Sequence, residues 1–279
     1  MIAQRSDSGD LHVSRNPTWG MSVKKGRKMK SRLGEQTALN SSALSSSLEI
    51  RDLYAELIPN LGEFWHRHAA VGLKVETLAR MLHYNALYQK IVDVPGVICE
   101  LGVQWGASLV TLTNLRAIYE PYNHGRRVIG FDTFEGFPAL DLKDGNGSDV
   151  GDYRSMDGHM SVLERLLRGH EASAPLSHIE KFELVKGDIS QTFSSWLDAN
   201  PYASISMVVF DTDLYQPTLD VLGLVVPRLT KGSLLVFDEF SCPNFPGETI
   251  AVREAIGTHN LKLRRSSLQP FCAWAVWGD

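Results

Sequence analysis

The sequence predicts an α/β fold with a mostly parallel sheet, and two observations indicate it. After Pro95, five short apolar runs alternate with stretches that have the apolar spacing of helices. This alternation is typical of βαβ units, in which helices cover both faces of a parallel sheet. The chain then closes with LKLRRSSL and FCAWAVWG, two strand-like runs joined by a short turn, which predict a hairpin that adds an antiparallel strand. We therefore expect seven strands, five of them parallel.

The segments that precede the sheet differ in composition. Residues 1–47 are rich in Ser, Gly, Lys and Arg and show no apolar periodicity, so we predict a disordered tail. Residues 48–94 carry apolar residues at spacings of three and four, which predicts a helical cap or an oligomerisation segment. Residues 95–279 then form the domain that contains the sheet, and we expect self-association into a homo-oligomer through the helical segment.

The tail contains one strongly basic motif. Six of the nine residues in KKGRKMKSR, residues 24–32, are Lys or Arg. No aromatic residue is interleaved with them, which favours a solvated tail over an arm that binds nucleic acid. The formal net charge of −4 likewise gives the whole chain no general attraction to nucleic acid.

Composition and cysteine spacing exclude several classes of protein. Cys99, Cys242 and Cys272 lie far apart without CxxC spacing, which argues against a disulfide framework and against a zinc site. No apolar run approaches the roughly 20 residues that span a bilayer, and the N-terminus lacks the apolar core of a secretion signal. We therefore expect a soluble, cytoplasmic protein with no membrane or nucleic-acid partner.

The first predicted strand runs into a glycine turn, ELGVQWGAS at residues 100–108. Gly102 and Gly106 permit a tight turn and close approach of a ligand, and the next helix begins near Ala107 or Ser108 with free N–H groups. The spacing is GxxxG and not GxGxxG, so an ordinary strand-to-helix turn also explains it. Glu100 favours a ligand site, because an acid late in a buried strand needs a partner such as a cationic ligand.

The second and third strands each end in a carboxylate. Asp132 comes about 30 residues after the glycine turn, where a carboxylate can bind both ribose hydroxyls of a nucleoside. The aromatic stretch at residues 134–138 then indicates the wall of a pocket. Asp188 follows the third strand, where it would either lie near an adenine edge or cap the helix that begins at QTFSSW.

Two pairs of carboxylates follow the fourth and fifth strands. The fourth strand leads into Asp211 and Asp213, and the fifth leads into Asp238 and Glu239. Like charges at neighbouring strand ends repel unless a cation lies among them, and all-oxygen ligands suit Mg²⁺, Ca²⁺ or Mn²⁺ better than zinc. The alternative is that Asp213 caps the helix that starts near Tyr215 and that Glu239 is merely exposed.

Taken in order and spacing, ELGVQWGAS, GFDTFEGFP, VKGDI, DTDLYQPT and VFDEF resemble the macrocin O-methyltransferase-like family. The resemblance covers roughly residues 95–256 and is most specific in DTDLY and FEGFP. It implies a class I, Rossmann-like S-adenosylmethionine (SAM) methyltransferase fold. It also implies that the enzyme methylates a sugar hydroxyl with the help of a divalent metal, with Mg²⁺ the first expectation.

The resemblance also implies a role for each strand-end residue. Four residues line the methionine half of SAM: Glu100, Gly102, Gly106 and Ser108. Asp132 binds the ribose and Asp188 lies beside the adenine. Asp211, Asp238 and Glu239 hold the metal, and Asp213 is the catalytic general base. The family commonly has Asp-Asp where this chain has Asp238-Glu239, and Glu ligates the same ions with a longer arm.

The expected acceptor is a deoxysugar, either as a nucleotide sugar or on a natural-product glycoside. A sugar hydroxyl is a poor nucleophile near neutral pH, so it needs both a Lewis acid and a base. Three alternatives remain open: a catechol or other phenol as acceptor, a nicotinamide-dependent enzyme, and an RNA-binding protein or RNA methyltransferase that uses the basic tail. The missing GxGxxG and the acid pair after strand five argue against the nicotinamide enzyme.

A long Gly- and Asp-rich segment, residues 138–159, follows the second strand. Loops of this length in a compact domain are usually functional or disordered. We predict a lid that closes over the acceptor, with Tyr153, Arg154 or His159 reaching it, and an Arg there would suit a diphosphate. A mobile surface loop is the alternative.

Overall fold

All seven predicted strands are present in the computed structural model, which describes residues 41–279. The parallel strands are β1 (Val97–Leu101), β2 (Val128–Asp132), β3 (Phe182–Lys186), β4 (Ile205–Phe210) and β5 (Leu229–Phe237). The closing hairpin consists of β6 (Arg264–Arg265) and β7 (Ala273–Val276). Strand β7 pairs antiparallel with β5, so the predicted addition of an antiparallel strand to the parallel sheet is confirmed.

Eight α-helices accompany the sheet within these residues. They are α1 (Ser41–Leu57), α2 (Trp65–His68), α3 (Val75–Ile91), α4 (Ala107–Tyr119), α5 (His159–Ala172), α6 (Ile189–Ala199), α7 (Tyr215–Val225) and α8 (Pro246–Ala255). Helix α1 begins at Ser41, inside the segment predicted to be disordered. The remainder of that segment, including the basic run at residues 24–32, lies outside the described residues.

Helices cover both faces of the sheet because the strands are apolar on both sides. On one face Ile98 of β1 joins a cluster with buried residues of α3, α4 and α5, and on the other Leu101 joins residues of α6, α7 and α8. The second half of α3 is part of this core, since Leu87, Tyr88 and Ile91 are at most 1% exposed. The helical segment that we predicted as a cap or an oligomerisation segment therefore also packs on one face of the sheet.

The strand order places a crevice at one edge of the sheet. Neighbouring strands run β3-β2-β1-β4-β5-β7-β6, so the direction of winding reverses between β1 and β4. At such a reversal the connections leave toward opposite faces, and a ligand-binding crevice forms beyond the carboxyl ends of the strands. The residues that follow β1, β2, β4 and β5 therefore meet at this edge.

Exposed apolar side chains concentrate on the N-terminal helices. Of 23 exposed large apolar residues in the described chain, eleven lie between Leu48 and Leu82. Such a concentration is typical of surfaces that contact another protein, and self-association through this segment stays a prediction. Within residues 41–279, no helix combines the length and the apolar character that crossing a bilayer requires.

At the end of the sheet opposite the crevice, Arg126 connects α3, the loop after α3, the end of α4 and strand β4. Its side chain is 2% exposed, and its guanidinium donates to the Glu120 carboxylate at 2.9 Å and to Ser206 Oγ at 2.6 Å. Its remaining N–H groups donate to the main-chain carbonyls of Ile91, Val94 and Gly96. Burial alone would raise the pKa of Glu120, but the hydrogen bonds from Arg126 and Tyr88 outweigh it, so the pKa lies below its ordinary value.

Replacing Arg126 with Met should strongly destabilise the fold, because it leaves a buried carboxylate without its cation and three carbonyls without this donor. Removing one partner of a buried ion pair costs about 3–5 kcal/mol, and we expect a loss of that size in the free energy of unfolding in urea titrations. The matched control is Arg127→Met, since Arg127 is 30% exposed and pairs with the partly exposed Glu183. That change should cost below about 1 kcal/mol, and equal losses in the two variants would contradict the role of Arg126.

Candidate active site

A large cavity lies beyond the carboxyl ends of the strands, and all ten predicted site residues line it. Its volume is about 1930 Å³. A pocket for one drug-sized molecule typically has about 300–1,000 Å³, so the cavity has room for a cofactor and an acceptor side by side. The sequence therefore identified residues that the fold brings to one place, although their individual roles are still predictions.

The glycine turn after β1 requires glycine for two different reasons. Gly102 has φ +93°, and a Cβ there would lie 2.0 Å from the carbonyl oxygen of Asp211, so the turn packs directly against the end of β4. Gly106 has φ +83° and immediately precedes α4, which starts at Ala107 as predicted. Positive φ is costly for residues with a Cβ, and the close approach leaves no space for one. The turn thus holds the first-strand and fourth-strand residues together.

Asp132 is the main anchor of this turn. Its Oδ2 accepts hydrogen bonds from the backbone N–H groups of Val103 at 2.7 Å and Gln104 at 2.8 Å. Its Oδ1 accepts from the N–H of Phe134 at 2.5 Å. The carboxylate therefore shapes the turn from the cavity wall, where its predicted contact with ribose would add to these bonds.

Asp188 caps the helix that follows β3. Its side chain accepts a hydrogen bond from the N–H of Ser190 at 3.0 Å at the start of α6, and the residue also lines the cavity. The helix-cap interpretation is therefore correct. Its position at the cavity leaves the predicted place beside adenine as a second role.

Glu100 is buried at the end of β1 and is 1% exposed. Its Oε2 has no hydrogen-bond partner among the described residues. Burial, followed by the negative charge of Asp211, raises the pKa of Glu100 well above its ordinary value. An orphaned carboxyl oxygen on a cavity wall is the feature that a cationic ligand would satisfy.

The two acid pairs converge as predicted, and the alternative reading of them is wrong. Helix α7 has Leu214 at its N-cap position with no side-chain cap, and the N–H of Tyr215 is bound by Asp144 at 2.6 Å and not by Asp213. Glu239 is 8% exposed, and it hydrogen-bonds Cys242, whose thiol pKa burial raises to about 11. Asp213 and Glu239 are thus both buried side chains that line the cavity.

Among the described residues, Arg80 is a cation in direct contact with two of these four acids, and sequence reasoning missed it. One guanidinium nitrogen contacts Asp211 Oδ2 at 2.7 Å, and the other contacts Asp238 Oδ1 at 3.1 Å. Its Nε donates to Ser108 Oγ at 3.0 Å. Burial by itself would lower the pKa of Arg80, but Asp238 and its neighbours raise it well above the ordinary value. Its position in the apolar pattern of α3 gave no signal that it reaches the strand ends.

Glu248, in the first turn of α8, is a second functional candidate that the sequence did not reveal. It is fully buried and its Oε1 accepts from the N–H of Glu239 at 3.2 Å, while its Oε2 has no hydrogen-bond partner among the described residues. Burial and then the charges of Asp238 and Asp213 raise its pKa well above the ordinary value. Its contact with the main chain fixes the position of Glu239.

The donor set fits a divalent cation by chemistry but is not a ready-made metal site. Carboxylate oxygens are the ligands that Mg²⁺, Mn²⁺ and Ca²⁺ prefer, and Asp211, Asp238 and Glu239 provide them. Within residues 41–279, however, no group of three or more His, Cys, Asp or Glu side chains is arranged to hold a metal ion. Arg80 already binds two of the three carboxylates.

Backbone strain also concentrates around the cavity. Seven non-glycine residues of the described chain have positive φ, and four of them line the cavity: Gln104, Tyr153, Asp213 and Phe271. Asp213 has φ +60° and is 4% exposed. Left-handed backbone at non-glycine residues costs free energy and clusters at active sites, where it aims side chains. The conformation of Asp213 is therefore a sign of a functional position.

The segment predicted as a lid forms part of the cavity wall, and its closure over an acceptor stays a prediction. Asp144 is 2% exposed and ties the first part of the segment to α7 through the N–H of Tyr215. Tyr153 and Arg154 line the cavity, and their contact with the acceptor stays a prediction. The Tyr153 ring packs against Phe137, 5.1 Å between centroids. His159 does not line it: the ring is buried against Trp105, 4.8 Å between centroids, at the start of α5. Its predicted contact with the acceptor is wrong because the helix carries it inward.

The comparison with known families gives one match that covers most of the chain. The model of the Macrocin-O-methyltransferase (TylF) family matches residues 60–267. The 8-demethyl-8-(2,3-dimethoxy-alpha-L-rhamnosyl)-tetracenomycin-C 4'-O-methyltransferase of Streptomyces olivaceus is 27% identical over 197 residues, 65% of this chain and 66% of its own. The Mycinamicin III 3''-O-methyltransferase of Micromonospora griseorubida is 24% identical over 196 residues, 68% of each chain. These matches span about two thirds of the relatives' length.

Solved structures give a closer likeness over nearly the whole chain. The crystal structure of CalS11, calicheamicin methyltransferase, has a TM-score of 0.82 and 34% identity over 98% of this chain and all of that one. The apo structure of CalS11, described as a TDP-rhamnose 3'-O-methyltransferase, has a TM-score of 0.75 over 86% of this chain and 97% of that one. The predicted class I SAM methyltransferase fold is thus confirmed. The predicted activity, SAM-dependent O-methylation of a sugar, is confirmed with it, and the chain belongs to the macrocin-O-methyltransferase (TylF) family.

Proposed function

We propose that this enzyme methylates a hydroxyl of a deoxysugar, carried either by a nucleotide or by a natural-product glycoside, and that it uses a divalent metal. The observation that carries the proposal is the two-ligand cavity in which the glycine turn, a buried base candidate and the metal-ligand candidates share one wall. The names of the similar proteins support a deoxysugar, since they include a TDP-rhamnose and a rhamnosyl-glycoside methyltransferase.

The cofactor half of the cavity is formed by the ends of β1, β2 and β3. The orphaned Oε2 of Glu100 is suited to bind the ammonium group of SAM, and the N–H groups that start α4 are suited to its carboxylate. Asp132 is placed to bind the ribose, and Asp188 lies where the adenine would follow. SAM supplies a methyl group on a sulfonium, and the residues hold it in line with the acceptor oxygen.

The acceptor half is formed by the ends of β4 and β5 and by the loop wall. Asp213 is the general base in this proposal, because its strained backbone directs it into the cavity next to the metal-ligand candidates. A divalent cation held by Asp211, Asp238 and Glu239 would supply Lewis-acid stabilisation of the developing alkoxide. Arg154 lies on the loop wall and is suited to a diphosphate.

Titration calorimetry tests the cofactor assignment. SAM should bind at one site, and Asp132→Ala should weaken it about 10- to 100-fold, because a hydrogen bond to a charged group contributes about 1.5–3 kcal/mol. Asp198→Ala, an exposed carboxylate of α6 away from the cavity, should bind SAM like the parent. NAD⁺ titrated in parallel should give no binding. Unchanged SAM affinity in Asp132→Ala would contradict the ribose contact.

Transfer of labelled methyl from SAM tests the acceptor and the metal together. TDP-rhamnose should be methylated and catechol should not. EDTA should abolish the transfer and excess Mg²⁺ or Mn²⁺ should restore it, since an uncomplexed hydroxyl is too weakly acidic. Full activity in EDTA would remove the metal from the proposal, and transfer to catechol alone would favour a phenolic acceptor.

Asp213→Asn should lower kcat by about 10²- to 10⁴-fold, the usual contribution of a general base. Asn has the same shape and is among the residues that tolerate positive φ, so the backbone conformation should persist. SAM affinity should be unchanged, and kcat and kcat/KM should fall equally, because the base acts in the transition state. Asp220→Asn is the matched control, since this carboxylate on α7 lies away from the cavity and hydrogen-bonds Gln216 at the surface. A kcat near the parent value in Asp213→Asn would exclude it as the base.

A further inference from the structure

Arg80 occupies the point where the metal-ligand candidates converge. Its guanidinium contacts both Asp211 and Asp238, the two strand-end carboxylates that the proposed metal needs. The same guanidinium reaches Ser108 at the start of α4 and the hydroxyl of Tyr84 at 3.3 Å. One side chain from α3 therefore links the cofactor turn, the metal-ligand candidates and the N-terminal helices.

We propose that Arg80 and the divalent metal compete for Asp211 and Asp238, so that binding of the metal displaces the guanidinium and releases the first half of α3. This inference rests on the proposed metal dependence and adds a residue that controls it. The released half of the helix forms part of the cavity wall, so metal binding and the shape of the acceptor site are coupled.

Charge supports competition over joint binding. Arg80 contacts Asp211 Oδ2 at 2.7 Å and Asp238 Oδ1 at 3.1 Å. A dication on the same oxygens would lie within a few ångströms of the guanidinium, and like charges so close repel each other. The side chain of Arg80 is 22% exposed, against 10% for Asp211 and 5% for Asp238. The arginine is thus the partner with open space to move into, while the carboxylates are fixed at strand ends.

The distribution of buried residues along α3 indicates which half of the helix would move. Its first half, residues 75–82, has no buried residue, whereas its second half buries His83, Tyr84, Leu87, Tyr88 and Ile91. His83 is further held by Ser266 Oγ at 3.0 Å and by Cys272 Sγ at 3.3 Å. A helical half with little apolar burial opens at low free-energy cost, so the ion pairs of Arg80 are the main tie between it and the sheet.

The cavity around Arg80 is acidic in the part of the chain that the structure describes. Among residues 41–279, ten acidic residues and three basic residues line the cavity, and the basic ones are Lys74, Arg80 and Arg154. A dication carries twice the charge of a guanidinium, so the two carboxylates that Arg80 contacts attract it more strongly. This difference favours exchange of the one cation for the other when the metal is present.

The first test measures Mn²⁺ affinity from the electron paramagnetic resonance signal of the free ion, without turnover. Suppose that Arg80 blocks the metal site in about nine tenths of the parent molecules. Arg80→Met should then bind Mn²⁺ about tenfold more tightly than the parent, because every molecule has an open site. Lys90→Met is the matched control: it removes the same charge from the same helix, at an exposed position where the ammonium lies over Trp274. Its affinity should equal the parent's. Equal or weaker binding in Arg80→Met would overturn the competition and make Arg80 a support for the ligands.

The second test uses the parent protein, so it does not depend on folding of a variant. Hydrogen exchange of the amides in residues 78–82 should become faster when Mg²⁺ is added, while that of residues 83–91 should not change. Slower or unchanged exchange in residues 78–82 with Mg²⁺ bound would overturn the release of the helix. If neither the parent nor Arg80→Met binds Mn²⁺ with SAM present, and EDTA leaves methyl transfer intact, the metal dependence itself fails and the inference fails with it.

Discussion

The crowding of carboxylates at one sheet edge is the constraint on which the rest of this structure depends. Asp211, Asp213, Asp238 and Glu239 follow two adjacent parallel strands, so the backbone fixes them near each other whatever their charges. The repulsion must be offset by cations, by protonation or by bound ligands. The environment raises the pKa of Glu100 and of Glu248, which favours their neutral forms, and Arg80 supplies a cation to Asp211 and Asp238.

Two arginines, Arg126 and Arg80, connect the N-terminal helices to the sheet at its opposite ends. Arg126 is buried at the end of the sheet away from the cavity and is bound to Glu120 and to main-chain carbonyls. Arg80 is partly exposed at the cavity and is bound to two strand-end carboxylates. The first connection is suited to permanent stability, and the second would be exchangeable if a cation competes for its carboxylates as proposed.

The two halves of the cavity meet at one contact. The turn at Gly102 approaches the backbone of Asp211 so closely that a Cβ at Gly102 would lie 2.0 Å from the Asp211 carbonyl oxygen. In the proposed function, this contact would bring the methyl donor next to the acceptor hydroxyl. The 138–159 segment lines the other side, where Asp144 binds the N–H of Tyr215 in α7 and Tyr153 packs on Phe137.

The sequence by itself determined the alternating strands and helices, the terminal hairpin and the ten strand-end residues that line the cavity. It did so because period-two and period-3.6 apolar patterns and strand-end carboxylates are local signals, and parallel strands bring their carboxyl ends to one edge. Arg80, Glu248 and the inward turn of His159 were decided only by the tertiary structure. Each sits in a helix whose local pattern is ordinary. Arg80 meets Asp211, 131 residues away, and His159 packs on Trp105 of the glycine turn. Glu248 meets Glu239 only nine residues away, but from a helix that the fold returns to the end of β5. Helix packing alone sets which of these side chains reaches the acids.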